Sequence, residues 1–233
     1  MNNDYLLQQK ALVEELESSF ARGDSKTTVV ETQKDYANDD QICLTSIVFI
    51  PDEISSKVIQ NISDPLKKIE PQQYFYPPGS MHLTIKNIRT ISKPPLFTQK
   101  DVIKVNELFN IIIPKFSVIE FRVEDVLLFP TSISLMAYSN DDLQKLVLAL
   151  DKGLNEIDLP DDKTLLSDSI FWGNITVCRF TEKPNENFVS KVKKMRNMKI
   201  GKLKVEKISL VTCNAVCHPG SRKVISEYEL KQG

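Results

Sequence analysis

Two stretches with one shared alternation constrain this chain more than any other feature. Met81 to Ile88 reads M-H-L-T-I-K-N-I, with Leu83 and Ile85 alternating against His82, Thr84 and Lys86. A period of two is that of a β-strand, so one face is apolar and packed. The other face sets an imidazole, a hydroxyl and an ammonium about 7 Å apart, at roughly 3.3 Å of rise per residue. That trio joins a proton-transfer group to two donors suited to an anion. Asn174 to Phe180 repeats the pattern: Asn174, Thr176 and Cys178 share one face, Ile175 and Val177 the other. The stretches superpose as His82/Asn174, Thr84/Thr176 and Lys86/Cys178. A duplicated unit follows, whose second copy carries Asn where the first carries His.

The elements around the two stretches support duplication. Leu6, Leu12, Val13, Leu16 and Phe20 recur at helical spacing over residues 4–22, with Gly23 where a C-terminal cap belongs. Residues 24–40 are polar and read as a connector. Ile42 to Ile50 predicts a buried strand stopped by Pro51. Ile54, Val58 and Ile62 predict a helix that Pro65 ends or kinks. Pro77-Pro78-Gly79 then delivers the chain into the His82 strand. In the second half a helix spans Val102 to Ile112, and strands follow at Ile119–Val123 and Ile133–Tyr138. A helix through Leu143 to Leu154, the Asn174 strand and a helix with Phe188, Val192 and Met195 inward come next. Two closing strands are expected, Val205–Cys213 and Arg222–Leu230. The motif starts lie 92 residues apart, which suits a fused pair of lobes rather than a solenoid.

With these residues in view the chain resembles the 2H phosphoesterase superfamily, which includes RNA 2′,3′-cyclic phosphodiesterases and 2′–5′ RNA ligase-like proteins. His82-Leu83-Thr84 and the related Asn174-Ile175-Thr176 are similar to the family's two His-x-Thr/Ser motifs. Ile208 to Cys213, the Pro219-Gly220 turn and Tyr228-Glu229-Leu230 resemble its closing hairpin. The resemblance covers roughly residues 41–231 and implies an α+β fold, bilobal and pseudo-twofold, with two antiparallel sheets flanked by helices around a central cleft. Residues 1–40 are then an N-terminal helix and connector, and 41–233 a single bilobal domain whose lobes are built around the 82–88 and 174–180 strands. The resemblance further implies a metal-independent site with no cofactor. One histidine takes a proton, the other gives one, and the Thr hydroxyls hold the phosphoryl oxygens. It points to 2′,3′-cyclic phosphate or 2′–5′ linked RNA or nucleotide ends as ligands. Here Asn174 departs from the pattern, since a carboxamide hydrogen-bonds but does not titrate. Loss of one acid–base partner is worth about 10²–10⁴-fold in rate. A weakened phosphodiesterase and an inactive nucleotide- or RNA-end-binding module on the same fold are therefore both open.

Other residues have competing readings. His218 is the only other histidine; it replaces the missing acid or simply sits in the Pro219-Gly220 turn, and turn chemistry favours the second. Cys178 shares the Asn174 face by parity, yet a plain buried thiol is the commoner outcome. Cys213, Cys217 and His218 fit no strong zinc spacing, and a metal is rejected. Lys86 is either a phosphate-side cation or a solvated strand residue. Arg179 stands at an offset where the family often has Arg, but parity puts it on the opposite strand face unless a bulge intervenes. Tyr74, Phe75 and Tyr76 either stack a base or pack beneath the Pro-rich loop. The lysines and arginine between Lys191 and Lys204 form a solvated face or an approach surface for RNA phosphates.

Composition excludes broader classes. A formal net charge of −1 gives no global field toward nucleic acid or membrane, so any polyanion site is local. No apolar run approaches the roughly 20 residues of a spanning helix. The first four residues lack the basic and apolar regions of a signal peptide. Four cysteines without framework spacing suggest a reduced, cytoplasmic compartment. A monomer that meets a nucleotide or RNA end, with no membrane partner, is the expectation.

Overall fold

A computed structural model of the chain describes residues 3–23, 29–164 and 166–232. The first two residues, and residues 24–28 of the expected connector, lie outside the described residues. The elements run α1 (Asn3–Arg22), β1 (Ile42–Phe49), α2 (Asp52–Val58), α3 (Asp64–Lys67), β2 (Tyr74–Phe75), β3 (His82–Ser92), α4 (Gln99–Ile112) and β4 (Ile119–Phe129). They continue β5 (Ser132–Ser139), α5 (Asp142–Glu156), β6 (Gly173–Arg179), α6 (Glu186–Lys194), β7 (Lys199–Val205), β8 (Lys207–Cys213) and β9 (Lys223–Glu229).

The strands pair antiparallel in the order β7-β4-β5-β6-β3-β1-β8-β9, with β2 added beside β6. Where two sheets are expected the strands form one continuous sheet, whose halves β7-β4-β5-β6 and β3-β1-β8-β9 stand for the two. They join through one register pair, Leu83 with Ile175, between the two motif strands. Lobe and sequence half do not coincide, because the closing hairpin β8/β9 returns to the first lobe beside β1. A third strand replaces part of the expected surface stretch. Lys199–Val205 pairs with β4, burying Ile200, Leu203 and Val205 while its lysines face outward. Gly201 breaks the alternation there, and that hid the strand in the sequence.

The main core lies between the sheet and helices α2 to α6 and gathers Leu83, Ile85, Phe109, Phe121, Leu135, Leu150, Ile175 and Phe188, among others. Pro65 falls in the first turn of α3, after a π turn over Ile59–Ser63. The helical backbone runs on past it rather than ending there, since a first-turn proline needs no intrahelical N–H bond. Thr98 caps α4, accepting from the Asp101 amide while the Asp101 carboxylate accepts from the Thr98 amide, a capping box. Helix α1 sits on the other face of the second lobe, where Val13 packs with Leu127, Met136 and Tyr138. Strand β5 is therefore buried on both faces.

Candidate functional site

The site is built where the halves of the sheet meet. With Leu83 paired to Ile175, antiparallel register sets His82 opposite Thr176 and Thr84 opposite Asn174. All four share the face away from the main core. An approximate twofold through the Leu83–Ile175 pair thus relates the motifs. Gly173 makes the junction possible. A Cβ there would stand 2.5 Å from Leu83 Cδ1 and 3.0 Å from the Ala137 Cβ.

The His82 Nδ1–H donates to the Ser80 carbonyl at 2.8 Å, which fixes the tautomer and leaves Nε2 as the free base. Burial in the cleft lowers its pKa to about 4; the Ser80 carbonyl opposes this and the fields of Arg179 and Arg222 add to it. The imidazole is accordingly neutral at pH 7 and able to accept a proton. The Tyr76 ring lies 6.1 Å from it. Across the junction the Ser134 hydroxyl stands 3.4 Å from the Thr176 hydroxyl. Asn174 Oδ1 is buried with no hydrogen-bond partner among the described residues. Such an atom costs free energy unless a ligand or water donor meets it.

Strict alternation fails one step beyond each Thr, and it fails in the same way in both strands. In β3, Ile47 pairs with Thr84 and Ser46 with Lys86, so Ile85 is an extra residue. In β6, Ser134 pairs with Thr176 and Ile133 with Cys178, so Val177 is extra. Each bulge reverses the parity that follows. Cys178 therefore turns into the main core, fully buried, where desolvation pushes its thiol pKa up. Arg179 turns into the cleft. The parity assignment of both residues is corrected by this bulge.

Lys86 remains on the cavity wall, and it is the solvated reading of it that is corrected. It is neither solvated nor a free phosphate-side cation: it is 4% exposed, and its ammonium is ion-paired with Asp151 of α5 and with Asp161. Tyr76 is 2% exposed and donates to the Ala215 carbonyl at 3.1 Å, so its ring is packed rather than offered to a base. Its hydroxyl also accepts from Arg179 Nε at 3.0 Å, and the same Nε stands 3.3 Å from the Ala215 carbonyl. Tyr76 thereby orients Arg179, and desolvation lifts its own pKa to about 12. His218 lies in the turn before β9, where its Nδ1 accepts from the Gly220 amide at 3.2 Å. The lysines between Lys191 and Lys204 lie on α6 and β7, at the sheet edge remote from the junction.

The cleft is a cavity of about 610 Å³ whose walls include His82, Thr84, Asn174, Thr176 and Arg179. Lys163 joins them from the α5–β6 loop. Nothing periodic marks that loop, and only its Pro160-Asp161-Asp162 turn chemistry is visible in the sequence. Among the described residues no group of three or more His, Cys, Asp and Glu side chains is placed to hold a metal ion. No helix among them is long and apolar enough to cross a membrane.

No protein-family model matches the chain, and no curated protein matches it by sequence. Solved structures do match by shape. TT0787 of Thermus thermophilus is 18% identical with a TM-score of 0.59, over 82% of this chain and 98% of that one. A structure described as a phosphoesterase is 14% identical with a TM-score of 0.57, over 83% and 100%. E. coli LigT complexed with 3′-AMP is 14% identical with a TM-score of 0.58, over 83% and 100%. LigT has also been solved with phosphate, ATP and NADP+. The likeness shows that the α+β fold expected from the two motifs is the fold that this chain has.

Proposed function

We propose that the cleft is a phosphoester site for nucleotide or RNA ends bearing a 2′,3′-cyclic phosphate or a 2′–5′ linkage, with His82 as its one titrating catalytic group. The observation that carries this is the twofold arrangement of His82, Thr84, Asn174 and Thr176 about a single strand pair, with His82 Nε2 left free by the Ser80 bond. Thr84 and Thr176 approach the ligand from the two strands and hold its phosphoryl oxygens, while Arg179 answers its charge. His82 Nε2 accepts the proton of the attacking water. Asn174 donates through its amide and cannot protonate the leaving oxygen, so bulk water does so and turnover is slow. Nucleotide binding to LigT under the same fold supports the ligand class.

A second reading, a binding module without turnover, is favoured by Asn174 itself. An unpartnered buried amide oxygen suits recognition of a donor and serves no acid–base step. A panel of 2′,3′-cyclic nucleotides and 2′–5′ linked dinucleotides, assayed for turnover and for binding, separates the two. Turnover abolished by His82→Ala supports the enzyme. Binding without turnover, weakened by Thr84→Val, supports the module. Neither binding nor turnover across the panel would end the phosphoester reading.

A further inference from the structure

We propose that Lys163 is a ligand-contacting residue of the cleft, a second cation that meets the same phosphate as Arg179. This rests on the reading of the cleft as a phosphoester site and adds a residue that neither motif contains.

The segment before Lys163 is strapped to β3. Arg89 Nη1 donates to the Pro160 carbonyl at 2.6 Å. The Asp162 carboxylate accepts from the Thr90 amide at 2.8 Å and from the Thr90 hydroxyl at 3.0 Å. Asp161 is ion-paired with Lys86, and its other oxygen accepts from the Lys163 amide at 3.3 Å. Both residues before Lys163 are thus fixed to the strand that carries His82, and the lysine is delivered to the cavity wall. A loop held by this many bonds is a rigid mount for a contact side chain.

The charges around Lys163 come from four elements: Arg179 on β6, Lys86 on β3, Asp161 in its own loop and the Cys43 thiol on β1. Asp151 and Asp161 together already answer Lys86. Among the described residues no carboxylate lies within ion-pair distance of the Lys163 ammonium. Arg179 spends its Nε on Tyr76 and Ala215, both uncharged partners. The remaining site groups, His82, Thr84, Asn174 and Thr176, bring no charge at neutral pH. Arg222 adds its field at His82 but does not line the cavity, so an anion in this cleft is met on the cavity wall by Arg179 and Lys163, and enclosed cations are stable only when paired. Burial and the field of Arg179 hold the Lys163 pKa below the ordinary lysine range. A bound phosphate reverses that field and raises the pKa, so binding takes up a proton once the free ammonium begins to titrate.

The test is calorimetric titration of the full chain with inorganic phosphate between pH 8 and 10, where the ligand stays a dianion. Wild-type affinity is expected to fall across this range. Lys163→Met should bind about tenfold or more weakly at pH 8 and should lose the fall. Lys163→Arg should keep the affinity and also lose the fall, which a merely structural role would not produce. The Cys43 thiol, whose pKa its contact with the Cys213 thiol lowers, survives both substitutions, so an undiminished slope in Lys163→Met would assign the effect to Cys43 and overturn the proposal. Wild-type affinity in Lys163→Met overturns it too. Thr84→Val separates the underlying reading. Binding lost there but kept in Lys163→Met leaves the phosphoester cleft standing without Lys163. Binding that is indifferent to Thr84→Val places the anion elsewhere and removes both.

Discussion

His82 and Asn174 occupy equivalent places about the strand junction, yet only the imidazole titrates. A base works in its neutral form, and burial holds the His82 pKa near 4. Any His82-dependent hydrolysis of 2′,3′-cyclic AMP should rise through about pH 4 and then run flat to pH 8, with no descending limb. A bell-shaped profile would show that a second group gives the proton. Asn174→His supplies that group by design, and about 10²-fold or more in rate with a restored bell is expected. An intact fold with no gain would favour the binding module. Lys86 makes a different case at the same scale. Removing a buried ammonium from between two carboxylates leaves them facing each other, so Lys86→Met should destabilise the chain by about 3–5 kcal/mol. Urea denaturation measures this, and a loss below about 1 kcal/mol would mean that solvent already reaches the pair.

Among the elements, the two bulges explain how far the sequence could be read. His82, Thr84, Asn174 and Thr176 precede the bulges, so simple alternation places them together on one face. Cys178 follows the extra residue Val177 and turns away from that face and Arg179 turns toward it, while Lys86, after the extra residue Ile85, stays at the cavity wall in its pair with Asp151 and Asp161. A bulge is set by cross-strand partners, and no residue in I-K-N or V-C-R announces it. Lys163 was hidden for another reason: a loop has no period, and its position depends on bonds to β3 that only the fold creates. The junction itself rests on Gly173. Gly173→Ala would press its Cβ into Leu83 and should cost about 1–3 kcal/mol, with weaker phosphate binding as β3 and β6 are forced apart. Pairing it with Leu83→Ala vacates the space, so the double variant should be less destabilised than the two single losses added together. Strict additivity in urea denaturation would show that the two side chains do not share the junction.

At the scale of the whole molecule, the cleft face of the second lobe is closed by α1. The amphipathic spacing of residues 4–22 predicts a helix and its apolar face but not what that face covers, because many surfaces accept the same stripe. The structure sets it against β4 and β5. Val13 is fully buried with Leu127, Met136 and Tyr138, and Phe20 meets Phe129 with ring centroids 4.9 Å apart. Polar contacts fix the angle. Tyr5 and Gln9 bond the Phe171 carbonyl at 3.3 and 2.6 Å, Lys10 pairs with Glu124 at 2.8 Å, and Glu17 with Arg196 at 2.9 Å. Phe171 lies just ahead of Gly173 and Asn174, so the helix braces the chain as it enters the second motif. Val13→Asp places a charge with no partner in this apolar seam and should destabilise the protein by about 3 kcal/mol or more. Undocking also uncovers Met136 and Tyr138, so binding of a hydrophobic dye should rise, and phosphate binding should weaken as the Phe171 brace loosens. Leu7→Asp, on the same helix at a site 63% exposed, should change stability by no more than about 0.5 kcal/mol. Equal and small effects of the two substitutions on urea midpoint and dye binding would mean that α1 contributes nothing to the second lobe. A large effect of Val13→Asp with unchanged phosphate affinity would keep the helix as a cover for the sheet and exclude it from holding the site.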